Sequence, residues 1–151
     1  MRELAKLSEI DSTSQEESLD ARIEQLSMIA ADAAMNKKAL DPVIIDVRGK
    51  ASYADFLVVC TGRNDRHVTA IADSVQDEMK PYAENLGREG LSKGHWVLLD
   101  FGDIIVHVFH AHTRYVYDIE RLWSDAPRLP LQVPDELKGD AALYEGYDIN
   151  D

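Results

Sequence analysis

The residues of this chain best suited to chemistry crowd into its second half. His107, His110 and His112 are spaced H-x-x-H-x-H, and imidazole is a good ligand for zinc or nickel. Successive strand residues point to opposite faces, so His107 and His110 would diverge if both lie on one strand. No cysteine lies nearby, and no metal site is expected; the simpler reading is a packed His107 with two surface histidines. Asp100 and Asp103 flank Phe101-Gly102. Paired carboxylates could hold magnesium or share acid–base work, but aspartates at the ends of a hairpin are also ordinary turn residues. Thr61-Gly62-Arg63-Asn64 could offer backbone amides to an anion at a helix start. It is neither G-x-x-x-x-G-K-[ST] nor G-x-G-x-x-G, so helix capping suffices. Cys60, even with His67 nearby in sequence, reads better as a small buried hydrophobe than as a nucleophile. Tyr53, Trp96, Tyr117 and Trp123 are more informative, because tyrosine and tryptophan combine large area with a polar handle and anchor interfaces. Core packing is the alternative for Trp96 and Trp123; Tyr53, beside a turn, is the one expected to be exposed.

Regular elements must position these side chains. Ser14-Gln15-Glu16-Glu17 reads as a capping box. Leu19, Ile23, Leu26, Ala30 and Ala33 then recur at helical spacing, predicting a helix over about 15–38 that stops near Asp41-Pro42. Residues 43–48 and 55–60 read as strands joined by a Gly49–Ser52 turn. The second is apolar without a break, as in a strand buried on both faces, and so short a link implies an antiparallel hairpin. Asn64 or Asp65 caps a helix over about 65–85 with Val68, Ile71, Ala72, Val75, Met79 and Tyr82 on its apolar stripe. Residues 88–94 allow a short edge strand. Residues 96–100 and 103–109 are strands around a Phe101-Gly102 turn. Thr113 caps a last helix carrying Tyr115, Ile119 and Leu122, ended by Ser124–Pro127. The order α-ββ-α-ββ-α predicts an α/β fold, a mixed sheet flanked by helices. Residues 14–129 are expected to form one domain, between a mobile N-terminus over 1–13 and an acidic, aperiodic tail over 130–151.

The formal net charge is −12. Residues 1–41 contribute −4 and residues 130–151 contribute −5, leaving −3 for the long middle. Affinity for nucleic acid comes largely from lysine and arginine displacing counterions, so strong direct binding to it is not expected, whereas a basic protein partner is compatible. No apolar run approaches the roughly 20 residues that span a bilayer, and the polar, acidic start is unlike a secretory signal. The single cysteine suits a reducing compartment. The expected location is the cytoplasm, with no membrane partner.

Three separated segments, DVRGKASYADFLVVCTGRNDRHVTAIADSV, WVLLDFGDIIVHVF and YDIERLWSDAP, resemble the ribosomal silencing factor family, also called the Iojap family. The likeness covers about residues 40–128. It implies a fold similar to nucleotidyltransferases and binding to the fourteenth protein of the large ribosomal subunit. Seated there, the factor would block joining of the small subunit and repress translation under nutrient limitation. Organellar relatives look like large-subunit assembly factors, which supplies an alternative role, and the family is often seen as homodimers. Neither catalysis nor a cofactor is implied. The residues agree: Thr61–Asn64 lacks the Gly-Ser turn of a nucleotidyltransferase, and Asp100 and Asp103 are not spaced D-x-D. A nucleotidyltransferase using those two acids is the less favoured alternative. The positions matching the family pattern that are expected to bind the ribosomal protein are Tyr53, Asp55, Trp96, Asp100, Asp103, Asp118 and Trp123. His110-Ala111-His112 stands where the family often has acids.

Overall fold

A computed structural model describes residues 12–144, and the side chains from residue 18 onward. It has the expected α/β architecture, and the short edge strand allowed over residues 88–94 forms as a fifth strand. Helix α1 (Ser12–Asn36) leads into β1 (Leu40–Asp46) and β2 (Phe56–Gly62). Helix α2 (Asp65–Met79) and the short β3 (Gly87–Leu91) follow. Strands β4 (Trp96–Asp100) and β5 (Ile104–His110) complete the sheet. Two short helices come next, α3 (Ala111–Tyr117) and α4 (Ile119–Leu122), and a single turn, α5 (Ala141–Tyr144), lies near the C-terminus. The sheet order is β1-β2-β5-β4-β3. Only β2 and β5 run parallel among the described strands; the other neighbours are antiparallel.

Alternation along the strands makes two cores. Phe56, Val58 and Cys60 of β2, with Ile104, Val106 and Val108 of β5, face α1 and α2. Leu57, Val59, Ile105 and Phe109 face the opposite way, where Ile119, Trp123 and Ala126 cover only part of the sheet. β2 is buried along its whole length, as its unbroken apolar run predicts. Gly62 ends it where a Cβ would stand 2.8 Å from both the amide nitrogen and Cγ2 of Val68, so glycine lets α2 start hard against the strand.

Several boundaries differ from expectation for local reasons. Helix α1 ends before Asp41-Pro42, because Lys38 adopts φ 63°. The Ala39 amide then donates to Ala34 O and the Lys38 amide to Met35 O, at 3.1 and 2.9 Å, the bonding of a Schellman cap. Helix α2 stops at Met79, ahead of Pro81, and Tyr82 is exposed rather than on the buried stripe. His110, not Thr113, caps α3 by accepting the His112 amide, while Thr113 is buried inside the helix. Asp118, at φ 46° and ψ 51°, breaks the expected single last helix into two.

The acidic tail is the largest departure. Residues 130–144 run back along the domain: Leu131 packs on the helix-side core and Leu137 is buried. Neither outer strand of the sheet presents an open apolar edge. Residues 127–129 bond to β1 through the Asp46 and Leu129 amides, at 2.8 and 3.0 Å, and β3 presents exposed Arg88 and Glu89, charges that discourage further strand pairing.

Candidate docking groove

The uncovered part of the second sheet face forms a groove of about 340 Å³. Leu57, Ile105, His107, Trp96 and Leu98 make its floor, Leu91 and Tyr53 flank it, and Ile119, Leu122 and Trp123 form a wall. The floor follows from strand alternation, since odd-numbered residues of β2 and β5 face this side. Trp96 is half-buried. Its ring stacks on Phe109 at 4.8 Å and leans on Tyr117 at 4.9 Å between centroids. Its indole Nε1–H donates to His107 Nδ1 at 3.1 Å. Burial holds His107 down to a pKa of about 4, neutral and able to accept that bond. The rim is less protected: Leu122 of the wall is 75% exposed and the flanking Tyr53 58%.

The seven residues expected to bind a partner divide among three places. Tyr53, Trp96 and Trp123 meet in the groove. Asp55, Asp100 and Asp103 gather at one end of the sheet, where the Asp55 amide donates to Asp103 O at 2.8 Å. Asp100 Oδ1 accepts the Gly102 amide at 2.8 Å and so shapes the turn, with Gly102 at φ 88°. Asp103 is exposed. Burial, and then the neighbouring Asp103 charge, raise the pKa of Asp55 above the ordinary carboxylate value. Asp118 stands apart, on a second recess of about 1160 Å³ shared with Asp41, Arg114, Glu120, Arg121 and Tyr144. Leu122 borders both recesses.

Leu91, Leu98, Ile119 and Leu122 belong to the groove but were not among the expected residues. Apolar side chains on strands and short helices read as core; only the incomplete cover over this face exposes them.

The other chemical candidates resolve simply. Cys60 is fully buried, and burial pushes its thiol up to about 12, far from a reactive thiolate. His67 is occupied elsewhere: its Nδ1 accepts the Arg63 amide at 3.0 Å, so its Nε2 donates to Lys37 O at 2.7 Å. His110 is buried and His112 partly so, against the expectation of two surface histidines. His110 faces the helix side, within 5.7 Å of His95 between ring centroids, while His95 Nδ1 pairs with Asp65 at 2.6 Å. Among the described residues, no group of three or more His, Cys, Asp or Glu is placed to hold a metal ion. No helix among them is long and apolar enough to cross a membrane.

Comparison with known proteins decides the family. The profile described as "Ribosomal silencing factor during starvation" matches residues 20–145. This chain belongs to the ribosomal silencing factor family. Its relative in Bacillus subtilis, ribosomal silencing factor RsfS, is 40% identical over 100 residues, which is 66% of this chain and 85% of that protein. Among solved structures, a Chromobacterium violaceum protein is 35% identical with a TM-score of 0.65, covering 74% of this chain and 93% of its own. A more distant mouse relative, "mitochondrial assembly of ribosomal large subunit protein 1", is 28% identical over 95 residues, 58% of this chain and 40% of that protein. The silencing factor match reaches well past Pro130, so the segment lying back along the domain falls within the family's span.

Proposed function

We propose that this protein is a cytoplasmic repressor of translation with no catalytic role. It docks its open sheet face on the fourteenth protein of the large ribosomal subunit and blocks joining of the small subunit. The observation that carries the proposal is the groove itself: a concave apolar patch with two tryptophans and a tyrosine, on a chain of the silencing factor family. Each leucine-sized side chain buried on docking contributes roughly 1.5–3 kcal/mol, and Leu122 and Tyr53 have most of that still to gain. Asp103 and its neighbours at the sheet end supply negative charge toward a basic partner, which aids steering and register.

Sedimentation of the purified protein with separated subunits tests this directly. The protein should travel with large subunits and not small ones, and should slow reassociation of the two. Equal binding to both, or normal reassociation at saturating protein, defeats the proposal. The name of the mouse relative favours a second reading, a role in large-subunit assembly. Preferential co-sedimentation with precursor particles over mature subunits would select it.

A further inference from the structure

Asp41 joins parts of the chain that are far apart in sequence. Its backbone is left-handed, at φ 48°. Its carboxylate accepts the Gly139 amide at 3.0 and 3.1 Å and the Tyr144 hydroxyl. Its carbonyl accepts Arg114 Nη1 at 2.7 Å. The same Nη1 donates to Thr61 Oγ1 at 3.0 Å, and Tyr144 Oη lies 3.2 Å from that oxygen. Arg114 is buried, and its Nε–H donates to Glu120 Oε1 at 2.7 Å. Burial works against ionisation of Glu120, yet the Arg114 guanidinium overcomes it and holds the carboxyl below its ordinary value.

Arg114 lies on α3 and Glu120 on α4, with left-handed Asp118 between them. A non-glycine residue in that conformation costs about 1 kcal/mol or more and persists only where surrounding contacts hold it. The Arg114–Glu120 pair spans this bend. The bend in turn sets where Tyr117 leans on Trp96, and where Ile119, Leu122 and Trp123 fall as the groove wall. Gly139 supplies a separate observation. A Cβ there would stand 2.8 Å from Asp41 Oδ2, 2.6 Å from Leu143 Cδ2 and 3.3 Å from Tyr144 Cε2. Only glycine lets the segment approach so closely.

We infer that residues 139–144 brace the docking groove: Asp41, Gly139 and Tyr144 are positioning residues that act through Arg114 on the α3–α4 wall. The inference rests on the groove being the partner surface. The latch is polar and directional, so losing one bond loosens the wall while Leu137 and the two sheet cores keep the domain folded. The segment therefore tunes affinity from outside the contact surface.

The test uses the full chain carrying Tyr144→Phe, which removes one oxygen, or Gly139→Ala, which pushes the segment from Asp41. Denaturant midpoints establish that each variant is folded. Trp96 and Trp123 are the only tryptophans, and both line the groove, so acrylamide quenching of their emission reports on the wall without any ribosome. Both variants should quench more readily than the parent and bind large subunits three- to tenfold more weakly, equivalent to about 0.7–1.4 kcal/mol. Parental quenching and affinity in both folded variants would overturn the brace. If the parent itself fails to bind large subunits, the groove reading falls, and unchanged quenching alone would still overturn the brace.

Discussion

Trp96 Nε1 and His107 Nδ1 form a hydrogen bond of 3.1 Å across adjacent antiparallel strands, on the floor of the groove. The bond requires His107 Nδ1 to be unprotonated. Burial enforces this, holding the imidazole at about 4 against an ordinary 6.5. The groove floor therefore carries a pH dependence that its apolar lining hides.

Stability should fall as pH drops through the window between those two values. Above the ordinary value both folded and unfolded chains hold His107 neutral. Between the two, only the unfolded chain takes up the proton, and each pH unit costs the fold about 1.4 kcal/mol. Below about 4 the folded chain is protonated too, and the loss levels off. His110, also lowered by burial, adds to the effect in the same direction. Urea unfolding at about pH 7.5 and about pH 5 measures the slope. His107→Gln, which keeps an acceptor and does not titrate, should make it shallower, leaving the part that His110 contributes; an unchanged slope in that variant would remove His107 as a source.

Trp96→Ala should weaken large-subunit binding by about 2 kcal/mol or more, roughly thirtyfold, as expected for a central aromatic anchor. Trp96→Phe retains the stack on Phe109 and should lose less. Titration against purified large subunits, with unfolding curves for both variants, separates lost contact from lost stability. Equal affinities for parent and Trp96→Ala would move docking away from this face.

Asp103→Lys should weaken binding about tenfold, or 1.4 kcal/mol. The loss should shrink as added salt screens the exposed charge. Asp103 is the cleaner probe of the hairpin because Asp100 Oδ1 is already committed to the turn. The same substitution removes a negative charge beside Asp55 and should bring its carboxyl back down. Full affinity at low salt would take the hairpin end out of the interface.

Deleting residues 131–151 should lower the thermal midpoint by about 5 °C or more, the shift that a loss of ~2 kcal/mol produces in a domain of this size. Leu131 and Leu137 leave the core, and the Gly139 and Tyr144 bonds to Asp41 are lost. A midpoint unchanged from the parent's would make the segment a true tail. Composition alone suggested that outcome.

That segment shows where sequence reading fails here. Periodicity located α1, α2 and the four main strands because each repeats its pattern several times. Residues 130–144 attach through isolated contacts, one leucine and a few backbone or side-chain bonds at a time, and these leave no period. Tyr144 and Asp41 lie 103 residues apart. The break at Asp118 is equally silent, since Tyr115, Ile119 and Leu122 keep helical spacing across it. The cap at His110 uses an imidazole nitrogen, outside the usual set of capping side chains. Within the groove, residue type alone singled out Tyr53, Trp96 and Trp123. Their leucine and isoleucine neighbours look like any core until the cover over the sheet is known.

The parallel pairing of β2 with β5 also bears on the order in which the chain folds. β1 with β2 is a local hairpin, and β3, β4 and β5 form a local meander. Each can assemble with short loop closures. Their joint aligns Phe56 with Ile104 and Gly62 with His110, and long closures carry the larger entropic cost. The first hairpin, α1 and α2 are synthesised before the partner strand, so the edge of β2 that pairs with β5 stays open until residue 110 has left the ribosome. The central seam then closes last and should open only with the whole domain. Amide exchange along β2 and β5 should match global unfolding, and faster exchange there than in β1 would show that the seam opens locally.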